Sequence, residues 1–293
     1  MMKKKILFII NPISGAGKQK AVIPLLQKHI NKNLFEYEVA YTNAPKHATE
    51  LSKQAVKEDF DIVTAVGGDG SVNEVGRSLI NTNTALAILP CGSGNGTARN
   101  LNISTNFIKA INIINQLKLK TIDTFHANEE PVINIAGVGF AAYVSHEFHK
   151  QTKRGFSNYI KVAIRDAIQY KSQNCKITYN DQTREVKAFI IEVANGPQWG
   201  NGAVIAPQAQ NNDSWLDLCI VKDFPRIILP TIAMRLFMKT AHRSKYVEIV
   251  RVKEVTICQE NKYAHIDGDP YNMGNEIRFK INPLSLKVIA ENV

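Results

Sequence analysis

The chain has 293 residues, 44% hydrophobic and 21% charged, with a formal net charge of +10. That length and apolar content exclude a disordered chain and suggest one large domain or two of ordinary size. Cys91, Cys175, Cys219 and Cys258 form no CxxC pair, which argues against a zinc site or a redox dithiol, and no apolar stretch is long enough to span a bilayer.

The start, "MMKKKILFIINP", has a basic head and a short apolar run, Ile6 to Ile10, without a small-residue cleavage site. It reads as a first strand rather than a signal peptide, and a reducing cytoplasm is expected. "KILFII" leads into the glycine turn "NPISGAGK", and "AVIPLLQKHI" then has helical spacing. "YEVAYT" reads as a strand and "HATELSKQAVKE" as a helix. "DIVTAV", "GGDG" and "SVNEVGRSLI" repeat the strand, turn and helix, and "TALAILP", "CGSGNG" and "TARNL" begin them a third time. Strands apolar throughout, alternating with helices, predict a parallel sheet covered on both faces. Ligands bind outside the carboxyl ends of such strands, where all three glycine turns lie.

Near residue 123 the pattern changes. "TIDTF", "PVINIAGVGF", "KITYN", "EVKAFIIEVAN", "WLDLCIV", "YVEIVRVKEVTICQE" and "EIRFKINPLSLKVIA" read as strands, many of them alternating. "FSNYIKVAIRDAIQYK" reads as a helix, and "PRIILPTIAMRLFMKTAH" as a helix broken by Pro230. The expected division is an α/β nucleotide-binding domain over 1–123 and a mainly antiparallel β-sandwich over 124–283, with 284–293 returning to the first domain.

Glycine turns at strand ends let backbone N–H groups approach phosphate oxygens, and the next helix N-terminus adds partial positive charge. A carboxylate beside a phosphate needs a cation between them, so Asp69 points to a Mg²⁺-linked or hydroxyl-orienting group in a phosphoryl-transfer site. Equally, GGDG alone is a tight turn with Asp69 capping the next helix. The first turn is no Walker A loop, because Pro12 and Gln19 stand where Gly and Ser or Thr are needed; Thr97 likewise breaks the dinucleotide fingerprint in the third.

"NPISGAGK", "GGDGSVNEV" and "LPCGSGNGTARNL", in that order, together resemble the diacylglycerol kinase-like lipid kinases, which include bacterial lipid kinases, sphingosine kinases and ceramide kinases. The resemblance continues through "IDTF" at 122–125, "NIAGVGFAA" at 134–142, the stretch 194–218 and "HIDGDP" at 265–270. It implies ATP- and Mg²⁺-dependent phosphorylation of a lipid hydroxyl, the lipid being one such as diacylglycerol or a sphingoid base. By the likeness, Asn11, Ser14, Gly15, Thr42, Gly67, Gly68, Asp69, Gly70, Ser71, Asn73, Gly92, Ser93 and Asn95 lie around the nucleotide. Asp69 and Asp123 would organise the metal and its waters. Asp267 would be the general base, with Asp269 in place of the family's usual Glu; on residue type alone, Asp267-Gly268 is a hairpin turn.

"QNNDSWLDL" resembles a structural cation site of the bacterial branch, which implies Asp213 with the carbonyls of Gln210 and Trp215 around Mg²⁺ or a similar ion. An Asx turn opening a strand is the alternative. One departure stands out: Gly96 occupies a position where many bacterial relatives carry Asp. It supports one rival, a silent lipid-binding or regulatory relative, while the GGDG turn, shared with the NAD kinase type, leaves open a soluble-substrate kinase. The expected partner is a lipid at a membrane surface, met peripherally from the cytoplasmic side, and no basic–aromatic cluster favours nucleic acid. The oligomeric state stays open, a homodimer among the options.

Overall fold

The computed structural model of the chain describes residues 3–151 and 156–291. It divides into two units: the residues up to Thr124 together with the segment from Pro283, and Phe125–Asn282.

The first unit is built from β1 (Lys4–Ile10), α1 (Val22–His29), β2 (Phe35–Tyr41), α2 (His47–Lys57), β3 (Ile62–Gly67), α3 (Asp69–Leu79), β4 (Ala85–Pro90), α4 (Gly96–Asn100), α5 (Phe107–Gln116) and β5, which starts at Leu119 and ends at Ala127. β1 lies between β2 and β3, β4 pairs with β3, and all four are parallel. Every residue of β3 and β4 is buried, as a strand covered by helices on both faces requires. The segment after Pro283 adds a further parallel neighbour, with Val288 opposite Leu86.

The second unit is mainly antiparallel. It runs through β6 (Glu130–Val132), β7 (Ile135–Gly139), α6 (Phe140–His149), α7 (Phe156–Ala167), β8 (Gln173–Tyr179), β9 (Gln182–Ala194), β10 (Gln198–Gly200), β11 (Ala203–Val204), β12 (Leu216–Lys222), α8 (Leu229–Phe237), β13 (Val247–Val252), β14 (Glu254–Gln259), β15 (Tyr263–Ile266), β16 (Asp269–Asn272) and β17 (Glu276–Ile289). The early part of β9 pairs with β8, and its later part lies between β7 and β12. Apolar side chains from β7, β9, β12 and β14 meet in one buried cluster with Phe125 and Phe279.

Three expectations change. The run "PVINIAGVGF" covers the end of one strand and a second strand, and its last residue starts α6, because Gly139 takes φ +86° and turns the chain out of the strand. The run from Tyr246 to Glu260 is two strands, separated at Lys253. Pro230 does not break its helix. It sits in the first turn of α8, where its missing N–H needs no intrahelical partner.

Candidate active site

In the first unit the chain leaves β1 for β2 on one side and later returns to place β3 on the other. The loops after β1 and β3 therefore diverge from the carboxyl ends of adjacent strands, the arrangement that opens a ligand crevice in α/β sheets. The Asn11 amide donates to Ser71 Oγ at 3.2 Å, and Asn11 Oδ1 accepts the Ile13 N–H at 3.1 Å. Thr42 lies at the end of β2, with its N–H on the Ile10 carbonyl at 3.0 Å.

The glycines here make close approach possible. A Cβ at Gly92 would stand 2.5 Å from the Gly68 Cα, and one at Gly15 would stand 2.4 Å from the Cys91 carbonyl oxygen. The Cys91 thiol donates to Ser14 Oγ at 3.6 Å, and burial pushes its pKa up, so it serves as a neutral donor. Asn95, in a left-handed conformation, donates through Nδ2 to the Gly92 carbonyl at 2.8 Å. Ser93 is exposed.

The "GGDG" turn is shorter than expected. Gly68 is the N-cap, and Asp69 and Gly70 already belong to α3. Asp69 is thus not the capping residue. Its Oδ1 accepts the Thr97 N–H at 3.3 Å, and its Oδ2 lies where a Cβ on Gly94 would come within 2.9 Å. The second and third glycine loops are joined through this carboxylate. One turn into α3, Asn73 is 2% exposed, and among the described residues neither its Oδ1 nor its Nδ2 has a partner. Buried amides are normally paired, so this one is an exception.

Beside these loops is a cavity of about 360 Å³ whose lining includes Lys18, Cys91, Gly92, Asn95 and Phe107. Sequence reasoning missed Lys18 and Phe107. Lys18 lies in the short helical segment Ser14–Ala21 that follows β1, a position that brings positive charge to an anion even without the Walker A spacing. Asp123 has no exposed surface, and its Oδ1 accepts the Leu284 N–H at 2.7 Å, which ties the returning segment to β5.

In the second unit, Asp267 and Gly268 form a two-residue hairpin loop between β15 and β16, with φ of +53° and +91°. Such a pair of positive values matches the right-handed twist of the flanking strands. The Asp267 carboxylate accepts backbone N–H groups from Ile133 (3.2 Å), Asn134 (2.8 Å) and Ile135 (2.9 Å). Ser145 of α6 donates to the Gly268 carbonyl at 2.6 Å. Turn and carboxylate are held from both sides, while Asp269 is exposed at the start of β16.

Behind this turn, His265 Nε2 lies 2.9 Å from both oxygens of Glu192, and both residues are buried. Burial alone would lower the His265 pKa, but the carboxylates of Glu192, Asp267 and Asp269 together outweigh it and the net shift is upward. Gly137 leaves the room: a Cβ there would stand 2.5 Å from Glu192 Oε2. Glu192 and His265 are far apart in sequence and share no motif; the only signal was a charged residue in the otherwise apolar run "FIIEVA".

The cation reading of "QNNDSWLDL" meets a different arrangement. Asp213 Oδ1 accepts the Trp215 N–H at 3.1 Å in an Asx turn, and Oδ2 accepts from the Arg251 guanidinium. Arg251 also lies over the Trp215 ring at 5.2 Å. The Arg251 guanidinium thus supplies positive charge at the carboxylate where the resemblance places a cation. Among the described residues no cluster of three or more His, Cys, Asp or Glu is placed to cage a metal by itself, and no helix is long and apolar enough to cross a membrane.

Residues 5–127 match the "Diacylglycerol kinase catalytic domain" family, and residues 134–290 match the "YegS C-terminal NAD kinase beta sandwich-like domain". An uncharacterized protein of Synechocystis sp. is 29% identical over 226 residues, 72% of this chain and 52% of that relative, so the chain spans about half that protein's length. A "Probable lipid kinase YegS-like" protein of Pseudomonas aeruginosa is 25% identical over 293 residues, 98% of this chain and 95% of its own. The crystal structure of a diacylglycerol kinase from Bacillus anthracis is similar in fold, with a TM-score of 0.75 at 21% identity over 99% of this chain and 98% of that one.

Proposed function

The chain belongs to the diacylglycerol kinase-like lipid kinase family, and from that membership we propose that it transfers the γ-phosphoryl group of ATP to the hydroxyl of a lipid such as diacylglycerol or a sphingoid base. The observation that carries the nucleotide half is the packing of Gly68 on Gly92, with the unpartnered Asn73 in the helix that Gly68 caps. Backbone without side chains can reach phosphate oxygens, and Lys18 adds charge beside them.

The residues present fit Mg²⁺. It is usually held by one or two carboxylates plus substrate phosphates, not by an all-protein cage. Asp69 would hold it; what it supplies when bound is neutralisation of charge on the phosphate oxygens. Asp123, having no exposed surface, ties the returning segment to β5 by fixing the Leu284 N–H.

Asp267 orients the lipid hydroxyl and takes its proton. Its three backbone donors fix the carboxylate in one pose, which serves a reaction dominated by positioning and charge stabilisation.

The test is transfer of labelled γ-phosphate into mixed micelles of diacylglycerol, monoacylglycerol, phosphatidylglycerol, ceramide or sphingoid base, with a soluble dinucleotide alongside. Wild type is compared with Asp267→Asn. Transfer into one lipid, reduced about 10²–10⁴-fold in the variant, is expected. Transfer only to the dinucleotide, or none by a folded wild type with Mg²⁺, overturns the proposal.

A further inference from the structure

In the second unit, the short turn of helix at Arg226–Ile228 runs into α8. Ile228, Leu229, Ile232 and Leu236 recur at helical spacing and pack into a buried cluster with Phe189, Phe224 and Val247. The opposite stripe is apolar too. Ile227 is 87% exposed, Met234 53%, Phe237 50% and Met238 61%. Met234, Phe237 and Met238 stand at i, i+3 and i+4, so they are neighbours on the helix surface, and Ile227 lies two turns before Met234. A helix that is apolar all round is normally covered on every side.

The patch stands on a fixed base. The Arg226 guanidinium donates to the Phe224 carbonyl at 2.9 Å and the Tyr170 carbonyl at 2.7 Å, and lies over the Phe189 ring at 4.9 Å. Along the segment itself the charge is of one sign, with Asp223 just before it paired to Arg226 at 3.6 Å. From Phe224 to Val247 the sequence has five Lys and Arg and no Asp or Glu. Apart from the anchoring Arg226, these are Arg235, Lys239, Arg243 and Lys245, the last three exposed.

We infer that this face docks the protein on an anionic lipid bilayer. Ile227, Met234, Phe237 and Met238 enter the boundary between headgroups and acyl chains, and Arg235, Lys239, Arg243 and Lys245 meet lipid phosphates. An apolar stripe flanked by cations is the pattern of helices lying in the membrane interface, and flexible methionines suit a surface without fixed shape. A second copy of the chain fits poorly, since a two-fold contact would set the cation-rich patch against itself. The inference deepens the lipid-kinase reading and rests on it: a surface that holds the enzyme on the bilayer keeps it where its substrate is.

The full chain is sedimented with vesicles of phosphatidylcholine alone and of equal parts phosphatidylcholine and phosphatidylglycerol, at low and high salt, without nucleotide. Binding is expected to be on the order of tenfold stronger on the anionic vesicles and to weaken with salt. The double variant Phe237→Ser, Met238→Ser binds at least about tenfold less, with unchanged melting temperature and unchanged transfer to lipid in detergent micelles. Lys239→Glu with Arg243→Glu removes only the anionic preference. Equal pelleting of the apolar variant, no pelleting of wild type, or a dimer in solution that the apolar variant dissolves would each overturn the inference. The vesicle assay contains no nucleotide, so a failed kinase reading shows in the micelle assay alone and a failed docking surface in the vesicle assay alone.

Discussion

Gly92 and Gly268 occupy turns in the two candidate clusters for different physical reasons. A methyl group on Gly92 would press against the Gly68 backbone, whereas one on Gly268 would meet nothing within 4 Å. Gly92 is needed for space. Gly268 is needed for its dihedral angle, φ +91°. The same division runs through both surroundings. The edge of the first unit is shaped by missing atoms and leaves Asn73 unpaired, while the turn of the second unit is shaped by bonds, three of them on Asp267. Space left open suits a mobile, highly charged co-substrate. A carboxylate fixed in place suits one proton transfer at one atom.

The largest expected effect removes a bond from the second region. Glu192→Gln leaves His265 buried without its charge partner and lowers stability by about 3 kcal/mol. The pH dependence has a definite sign. His265 is raised above its ordinary value of 6.5, so the pair's contribution is complete below that pH and is lost as pH rises through the raised value. Melting curves should therefore show the widest gap between variant and wild type near pH 6 and a narrower gap in alkaline buffer. A gap independent of pH would mean that Glu192 acts only by packing.

Next comes the contrast between the glycines. Gly92→Ala should lower stability by about 2 kcal/mol through overpacking against backbone and should abolish binding of an ATP analogue. Gly268→Asn should cost about 1 kcal/mol, because Asn tolerates positive φ better than other side chains but is still strained there. Denaturant unfolding reads both, and equal losses would break the distinction between space and conformation.

The smallest effect sharpens the first region. Asn73→Leu keeps the branching and removes two unpaired polar atoms, so stability should change by less than about 1 kcal/mol. Affinity for an ATP analogue, measured by titration calorimetry, should fall about tenfold if one hydrogen bond of about 1.4 kcal/mol is lost. Unchanged affinity would remove Asn73 from the nucleotide site.

The parallel sheet was legible because its signals are local: unbroken apolar strands, each ending at a glycine turn. So was the Asp267-Gly268 hairpin, since that dipeptide prefers the angles it adopts. Boundaries failed where one residue could play two parts. Gly68 can cap a helix as well as extend a turn, and Pro230 can start a helix as well as break one. α6 was hidden because "AGVGFAAYV" is apolar through both strand and helix, and only the angles of Gly139 mark the change. The pairings of Glu192 with His265 and of Asp213 with Arg251 were not legible, because partners far apart in sequence meet only once the strands are in register.

β17 carries a consequence for the order in which the protein is made. Its first residues pair with β14 in the second unit, and its later ones supply Val288 beside Leu86 in the first. On the ribosome, β4 therefore waits with one edge bare until the whole second unit has been synthesised. Domains generally fold as they emerge, first part first; here the earlier part is finished by the later. A nascent chain stalled before Pro283 would present an open parallel edge, a template for another strand, and a fragment ending at Thr124 would carry the same exposed seam.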